Sequence, residues 1–181
     1  MQLTQQSLAL RFITRFPQRI FLNRWLHLPI LETRTVSWAD EANCAAAAQA
    51  LAAKPGVRGA CIELHGSLGA GKTTFVRHLL GELGVKGRVK SPTYTIMESY
   101  DASGFSAAHF DFYRLNDPQE FEDAGLREVF ANPGLKLVEW PDKAAGLLPT
   151  ADLVVTINFT ADDQRSVDFA ALSELGLGLL P

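Results

Sequence analysis

Residues 66–73 read Gly-Ser-Leu-Gly-Ala-Gly-Lys-Thr, the residue types and spacing of a Walker A phosphate-binding loop. Gly66, Gly69 and Gly71 permit backbone torsions and a phosphate approach that a Cβ would obstruct. Ser67, Leu68 and Ala70 lie between them and offer backbone N–H groups to the same anion. Lys72 has the reach for the β- and γ-phosphates, and the Thr73 hydroxyl is a suitable Mg²⁺ ligand. Thr74 is either an α-phosphate contact or an ordinary first-turn threonine. The motif specifies a nucleoside triphosphate and leaves the base open.

Such a loop needs a second acid to hold Mg²⁺ or its waters, usually at the end of a neighbouring strand. Two segments offer one: Ala107-Ala108-His109-Phe110-Asp111 and Leu135-Lys136-Leu137-Val138-Glu139. Each is an apolar run ending in a carboxylate, at the strand end where open α/β sheets bind ligands. The alternative is that either acid simply faces solvent. Ser91-Pro92-Thr93-Tyr94-Thr95 occupies a position where nucleotide-binding proteins carry a loop that senses the γ-phosphate. Trp140 either covers the nucleotide or packs in the core.

The elements that must position these residues are legible from periodicity. Ala60–His65 is a short apolar strand, and residues 73–83 have helical spacing with Phe75, Val76, Leu79, Leu80 and Leu83 as the buried stripe. Strand, glycine loop and helix N-terminus together form an anion site. Upstream, Ser37 and Asp40 suggest a capping box opening an alanine-rich helix to about Lys54, stopped by Pro55-Gly56. Downstream, runs 94–100 and 107–113 suggest a hairpin turning at 101–104. Asp117-Pro118-Gln119-Glu120 starts a helix, and 153–159 with 166–172 form a final strand pair. The predicted fold class is α/β: a P-loop nucleoside triphosphate hydrolase fold with a small mixed sheet flanked by helices.

At 181 residues and 47% hydrophobic content the chain suffices for one domain with a core. A net charge of −3 argues against a dedicated nucleic-acid binder, so any RNA connection runs through a partner. Cys44 and Cys61 lack metal or redox spacing and read as inert core thiols; the four histidines have no metal-type spacing. No apolar run reaches transmembrane length, and a cytoplasmic protein is expected. Residues 1–33 carry Arg11, Arg15, Arg19 and Arg24 against Glu32, a net of +3, leaving −6 on residues 34–181. This start reads as a poorly ordered extension or a misassigned start codon rather than a transit peptide or membrane-surface helix. Residues 34–175 are expected to form the P-loop domain, and the extension to be dispensable.

Four ordered motifs go further: the glycine loop with Thr74 and Phe75, Lys-Ser-Pro-Thr-Tyr-Thr at 90–95, His-Phe-Asp-Phe-Tyr-Arg-Leu at 109–115, and Leu-Val-Glu-Trp-Pro at 137–141. Over roughly Val36 to Phe169 the chain resembles the bacterial TsaE (YjeE) family, the ATPase of tRNA threonylcarbamoyladenosine biosynthesis. The resemblance implies that Lys72 and Thr73 bind ATP phosphate and Mg²⁺, that Glu139 is the second Mg²⁺ acid, and that Asp111 is needed for hydrolysis. It also implies nucleotide contacts for Glu41 and Arg165. The implied partner is a TsaB–TsaD complex that modifies adenosine 37 of tRNAs reading ANN codons. Ser67 departs from the pattern, standing where an acidic residue is expected.

Two other readings use the same loop. A small-molecule kinase needs an acceptor pocket and usually an arginine-rich lid, and no insertion of that kind is present. A GTP-dependent switch needs Asn-Lys-x-Asp, which the sequence lacks.

Overall fold

A computed structural model of the chain describes residues 30–102 and 104–181. The extension call on residues 1–29 lies outside them. The described residues form seven strands: β1 (Glu32–Trp38), β2 (Cys61–His65), β3 (Met97–Ala102), β4 (Phe105–Asp111), β5 (Leu135–Glu139), β6 (Leu153–Phe159) and β7 (Arg165–Ala171). They form one sheet in the order β1-β7-β6-β2-β5-β4-β3. The four central strands are parallel, while β1, β7 and β3 run antiparallel to their neighbours. Five α-helices accompany them: α1 (Glu41–Ala52), α2 (Lys72–Glu82), α3 (Pro118–Asp123), α4 (Leu126–Ala131) and α5 (Glu174–Leu179).

Both faces of the central strands are covered, which is why every residue of β5 is buried, Lys136 included. On one face α1 and α2 pack over Ile62, Leu64, Leu135, Leu137, Val155 and Ile157. On the other, Phe110, Phe112, Phe121 and Val138 gather under α3 and α4. The stripe of α2 is the expected one, with Phe75, Val76, Leu79 and Leu80 fully enclosed. Parallel pairing aligns the C-terminal ends of β2, β4 and β5 on one rim, and Asp111 lies directly opposite Glu139 there.

Three local expectations need correction. Ser37 is not a cap but a strand residue paired with Ser166. The cap of α1 is Asp40, whose carboxylate accepts from Asn43 N at 3.0 Å. The run at 94–100 begins as a turn, because Thr95 N and Ile96 N both donate to Pro92 O and β3 starts only at Met97. The boundaries at 33 and 175 also cut through ordered structure. Leu31 N donates to Ala171 O and β1 starts at Glu32, since edge pairing with β7 extends through those residues. At the other end Leu179 and Leu180 are buried, and Lys54 Nζ donates to Leu180 O at 2.7 Å.

Candidate nucleotide site

The glycine loop links β2 to α2 and takes its shape from left-handed backbone. Gly66 has φ 135°, and a Cβ there would stand 2.4 Å from Ile157 O, so no larger residue fits. Gly71, φ 115°, caps α2 with open space around it. Lys72, 4% exposed, folds back to donate to Gly66 O at 2.7 Å and Ser67 O at 3.0 Å. Its ammonium lies 4.0 Å above the Trp140 ring. Burial pushes this amine below the usual lysine range, against the opposing pull of Glu139 and Asp111.

Trp140 reaches that position through a strained backbone, φ 56° and ψ 47°, immediately after β5. A bulky residue in this region costs about 1–3 kcal/mol, a cost typical of ligand sites. Tyr113 packs beside it at 5.0 Å between ring centroids.

Period two along the strands sets the acids. Leu137 and Glu139 share the α2 face of β5, as Ala107, His109 and Asp111 share that face of β4. Neither acid faces solvent: Asp111 is 4% and Glu139 2% exposed. Thr73 Oγ1 donates to the Glu139 carboxylate at 2.8 and 3.0 Å. Asp111 anchors the Ser91–Thr95 loop. Its Oδ2 accepts from Ser91 Oγ and from Thr93 Oγ1, the latter at 2.7 Å, and its Oδ1 accepts from Tyr113 N at 3.0 Å.

Two clefts flank the loop. One of about 350 Å³ collects Gly69, Gly71, Lys72, Thr73, Asp111, Glu139 and Trp140. The other, about 230 Å³, lies on the opposite side of Gly69–Gly71 and contains Glu41, Ala70, Thr74 and Arg165. Arg165 Nε donates to Ala70 O at 3.1 Å, fastening β7 to the loop, and Glu41 pairs with His78 at 3.0 Å. The nucleotide and metal residues singled out by sequence therefore line these clefts or form the loop between them, while of the 91–95 loop only Ser91 and Thr93 reach the larger cleft. Leu68, at the loop tip, is 71% exposed.

Two contributors escaped sequence reasoning. Trp38 lines the smaller cleft and stacks on Phe75 at 5.5 Å; no sequence signal marks it. His109, fully buried, contacts Glu139 Oε1 through Nε2 at 2.9 Å. Its signal was present, since a residue two before Asp111 on a strand shares that acid's face.

The donor set suits a hard cation bound with phosphates. Thr73 and Glu139 supply oxygen only, and Mg²⁺ typically takes one or two carboxylates with the rest from substrate and water. Among the described residues, no group of three or more His, Cys, Asp or Glu is placed to hold a metal by itself.

The family model described as "Threonylcarbamoyl adenosine biosynthesis protein TsaE" matches residues 38–167, which include the glycine loop and both acids. The chain belongs to the TsaE family. The TsaE protein of Haemophilus influenzae is 44% identical over 119 residues, covering 66% of this chain and 75% of that protein. The TsaE protein of Bacillus subtilis is 39% identical over 142 residues, covering 78% and 86% respectively. Both are named as tRNA threonylcarbamoyladenosine biosynthesis proteins. Among solved structures, Bacillus subtilis YdiB superposes with a TM-score of 0.69 at 30% identity, covering 82% of this chain and 91% of that one. This TsaE-family chain thus has the α/β fold expected of it.

Proposed function

We propose that the chain binds and hydrolyses Mg²⁺·ATP and works in tRNA threonylcarbamoyladenosine formation alongside a TsaB–TsaD complex. The observation that carries the reading is the Thr73 hydroxyl 2.8 Å from the buried Glu139 carboxylate at the head of α2, beside Lys72. The pathway assignment rests on the TsaE family match. A small-molecule kinase remains the alternative chemistry for such a loop, and no observation favours it.

In this reading the loop N–H groups and the N-terminus of α2 receive the phosphates. Lys72 leaves the Gly66 and Ser67 carbonyls for the β- and γ-phosphates, and Trp140 keeps water from the ammonium's other side. Thr73 and Glu139 would hold Mg²⁺, which supplies charge neutralisation at the β- and γ-oxygens. Asp111 would govern hydrolysis through the Ser91–Thr95 loop, which its carboxylate already ties down. The nucleoside would enter the cleft of Glu41 and Arg165. The site of action is taken to be the cytoplasm, where the partner complex meets tRNA.

Calorimetric titration with ATP and GTP in the presence of Mg²⁺ tests binding, and phosphate release tests hydrolysis. Saturable, Mg²⁺-dependent ATP turnover is the expected result. Phosphate transfer to a small acceptor, without hydrolysis in its absence, would favour the kinase instead.

A further inference from the structure

We infer that His109 is a positioning residue that orients Glu139 for the cation, an inference that rests on the reading of Glu139 as the Mg²⁺ acid. His109 is fully buried at the centre of β4, one register step from Glu139 on the same sheet face. A buried imidazole needs a reason to be there, because an apolar residue would fill that face at lower desolvation cost. The two ring nitrogens differ in their surroundings. Nε2 meets Glu139 Oε1 at 2.9 Å, whereas Nδ1 has no partner among the described residues.

That asymmetry assigns the tautomer. The proton belongs on Nε2, donating to the carboxylate, because a proton on Nδ1 would be a buried donor with no acceptor. A bare Nε2 would set its lone pair against the carboxylate oxygen across 2.9 Å, so the contact is made by an Nε2–H donor. Thr73 also donates to Glu139, but its hydroxyl is itself a candidate ligand and sits on the loop–helix junction that must accept nucleotide. His109, locked in the sheet, is the partner that holds Oε1 independently of the ligand. His109 engages Oε1 alone, so Oε2 has only the Thr73 hydroxyl as its partner among the described residues. Support of this kind is usually worth about 10–100-fold in metal affinity.

The test compares Mg²⁺ affinity in the presence of a non-hydrolysable ATP analogue with analogue affinity in the absence of metal. His109→Leu removes the donor. His109→Gln restores it, since the glutamine Nε2 lies where the imidazole Nε2 does. His109→Asn presents its amide one bond too short to reach Glu139. The expected result is Mg²⁺ affinity about 10–100-fold weaker for Leu and Asn and within about threefold of wild type for Gln. Metal-free analogue binding should be unchanged in all three. If His109→Leu fails to fold, the Gln and Asn pair carries the comparison. Equal Mg²⁺ affinity for Gln and Asn, or a parallel loss of metal-free binding, would overturn the inference. Glu139→Gln is the control that separates it from its premise. A Glu139→Gln protein with weakened Mg²⁺ binding and His109 variants without it sinks the inference alone, while normal Mg²⁺ binding in Glu139→Gln sinks the premise and the inference with it.

Discussion

Lys72 shows how one side chain can be held ready at low cost. Its ammonium is satisfied by two loop carbonyls and an indole face, and in the proposed reading it turns from these to phosphate. Those contacts are exchangeable for phosphate oxygens, which make stronger charge-assisted bonds. Lys72→Ala removes the cation aimed at the developing charge and is expected to lower ATP turnover on the order of 10²–10³-fold. Circular dichroism should show the fold retained, since the Gly66 torsion and the α2 stripe do not depend on the amine. Wild-type phosphate release by the variant would refute the placement. The thiols need no such role. Burial raises Cys44 and Cys61 to about 12, so both stay protonated and unreactive at neutral pH.

Two short elements couple the strand ends to loops that the chemistry would move. The Ser91–Thr95 loop is fastened to Asp111 by two hydroxyls, and Asp111 N in turn donates to Ile96 O at 3.0 Å. Asp111→Ala deletes the common acceptor. Amide hydrogen exchange across residues 91–96 should then rise by at least about tenfold, the equivalent of about 1.4 kcal/mol of lost local protection. Exchange in α2 should stay as it was, and equal rises in both segments would mean global destabilisation. The second coupling joins the end of β2 to the short turn Pro141–Ala144 through His65, whose Nε2 meets Glu63 at 3.1 Å and Nδ1 meets Asp142 at 3.5 Å. Burial alone would lower this imidazole, but hydrogen bonding and charge from Glu63, then Asp142, outweigh it and hold His65 above the ordinary histidine value. The folded state therefore binds the proton more tightly than the unfolded chain. This stabilisation is complete below about pH 6.5 and is lost as pH rises through the higher folded value. Melting curves of wild type and His65→Asn should differ most at pH 6 and converge by pH 9. A gap that widens with pH would reverse the assignment.

At the scale of the whole molecule, the site lies on an open rim, and among the described residues none is a convincing arginine finger. Arg77 is exposed on α2, and Arg114 stacks 4.2 Å over Tyr94, which is 82% exposed. Phosphoryl transfer is accelerated mainly by charge placed around the γ-phosphate, and a missing cation is worth about 10³–10⁵ in rate. Isolated protein is therefore expected to hydrolyse ATP slowly and to speed up with a TsaB–TsaD complex. Arg114→Ala should reduce the stimulated rate more than the basal one, because Arg114 stacks on Tyr94, an exposed residue of the same loop whose Ser91 and Thr93 line the larger cleft. The measurements are steady-state ATP turnover and multiple-turnover threonylcarbamoyl-tRNA formation with and without the complex. Absence of both stimulation and repeated modification would leave an ATPase without this pathway.

The sequence by itself determined the parts whose chemistry is local. Glycine torsions, the apolar stripe of α2, the strands β2, β5 and β6, and the Asp117-Pro118 helix start all depend on near neighbours in the chain, and these elements stand where expected. The four ordered motifs specified the family for the same reason. Tertiary structure decided what depends on register between distant strands. Pairing of β4 with β5 places Asp111 opposite Glu139 and turns His109 from one histidine among four into a buried partner of that carboxylate. Edge pairing of β1 with β7 made strand of residues at the start of the described chain, and burial of Leu179 and Leu180 extended the fold beyond residue 175. Periodicity cannot show such contacts. It reports which face of a strand is apolar, whereas the partner across that face is set by a sheet assembled from segments up to 139 residues apart, as with Glu32 and Ala171.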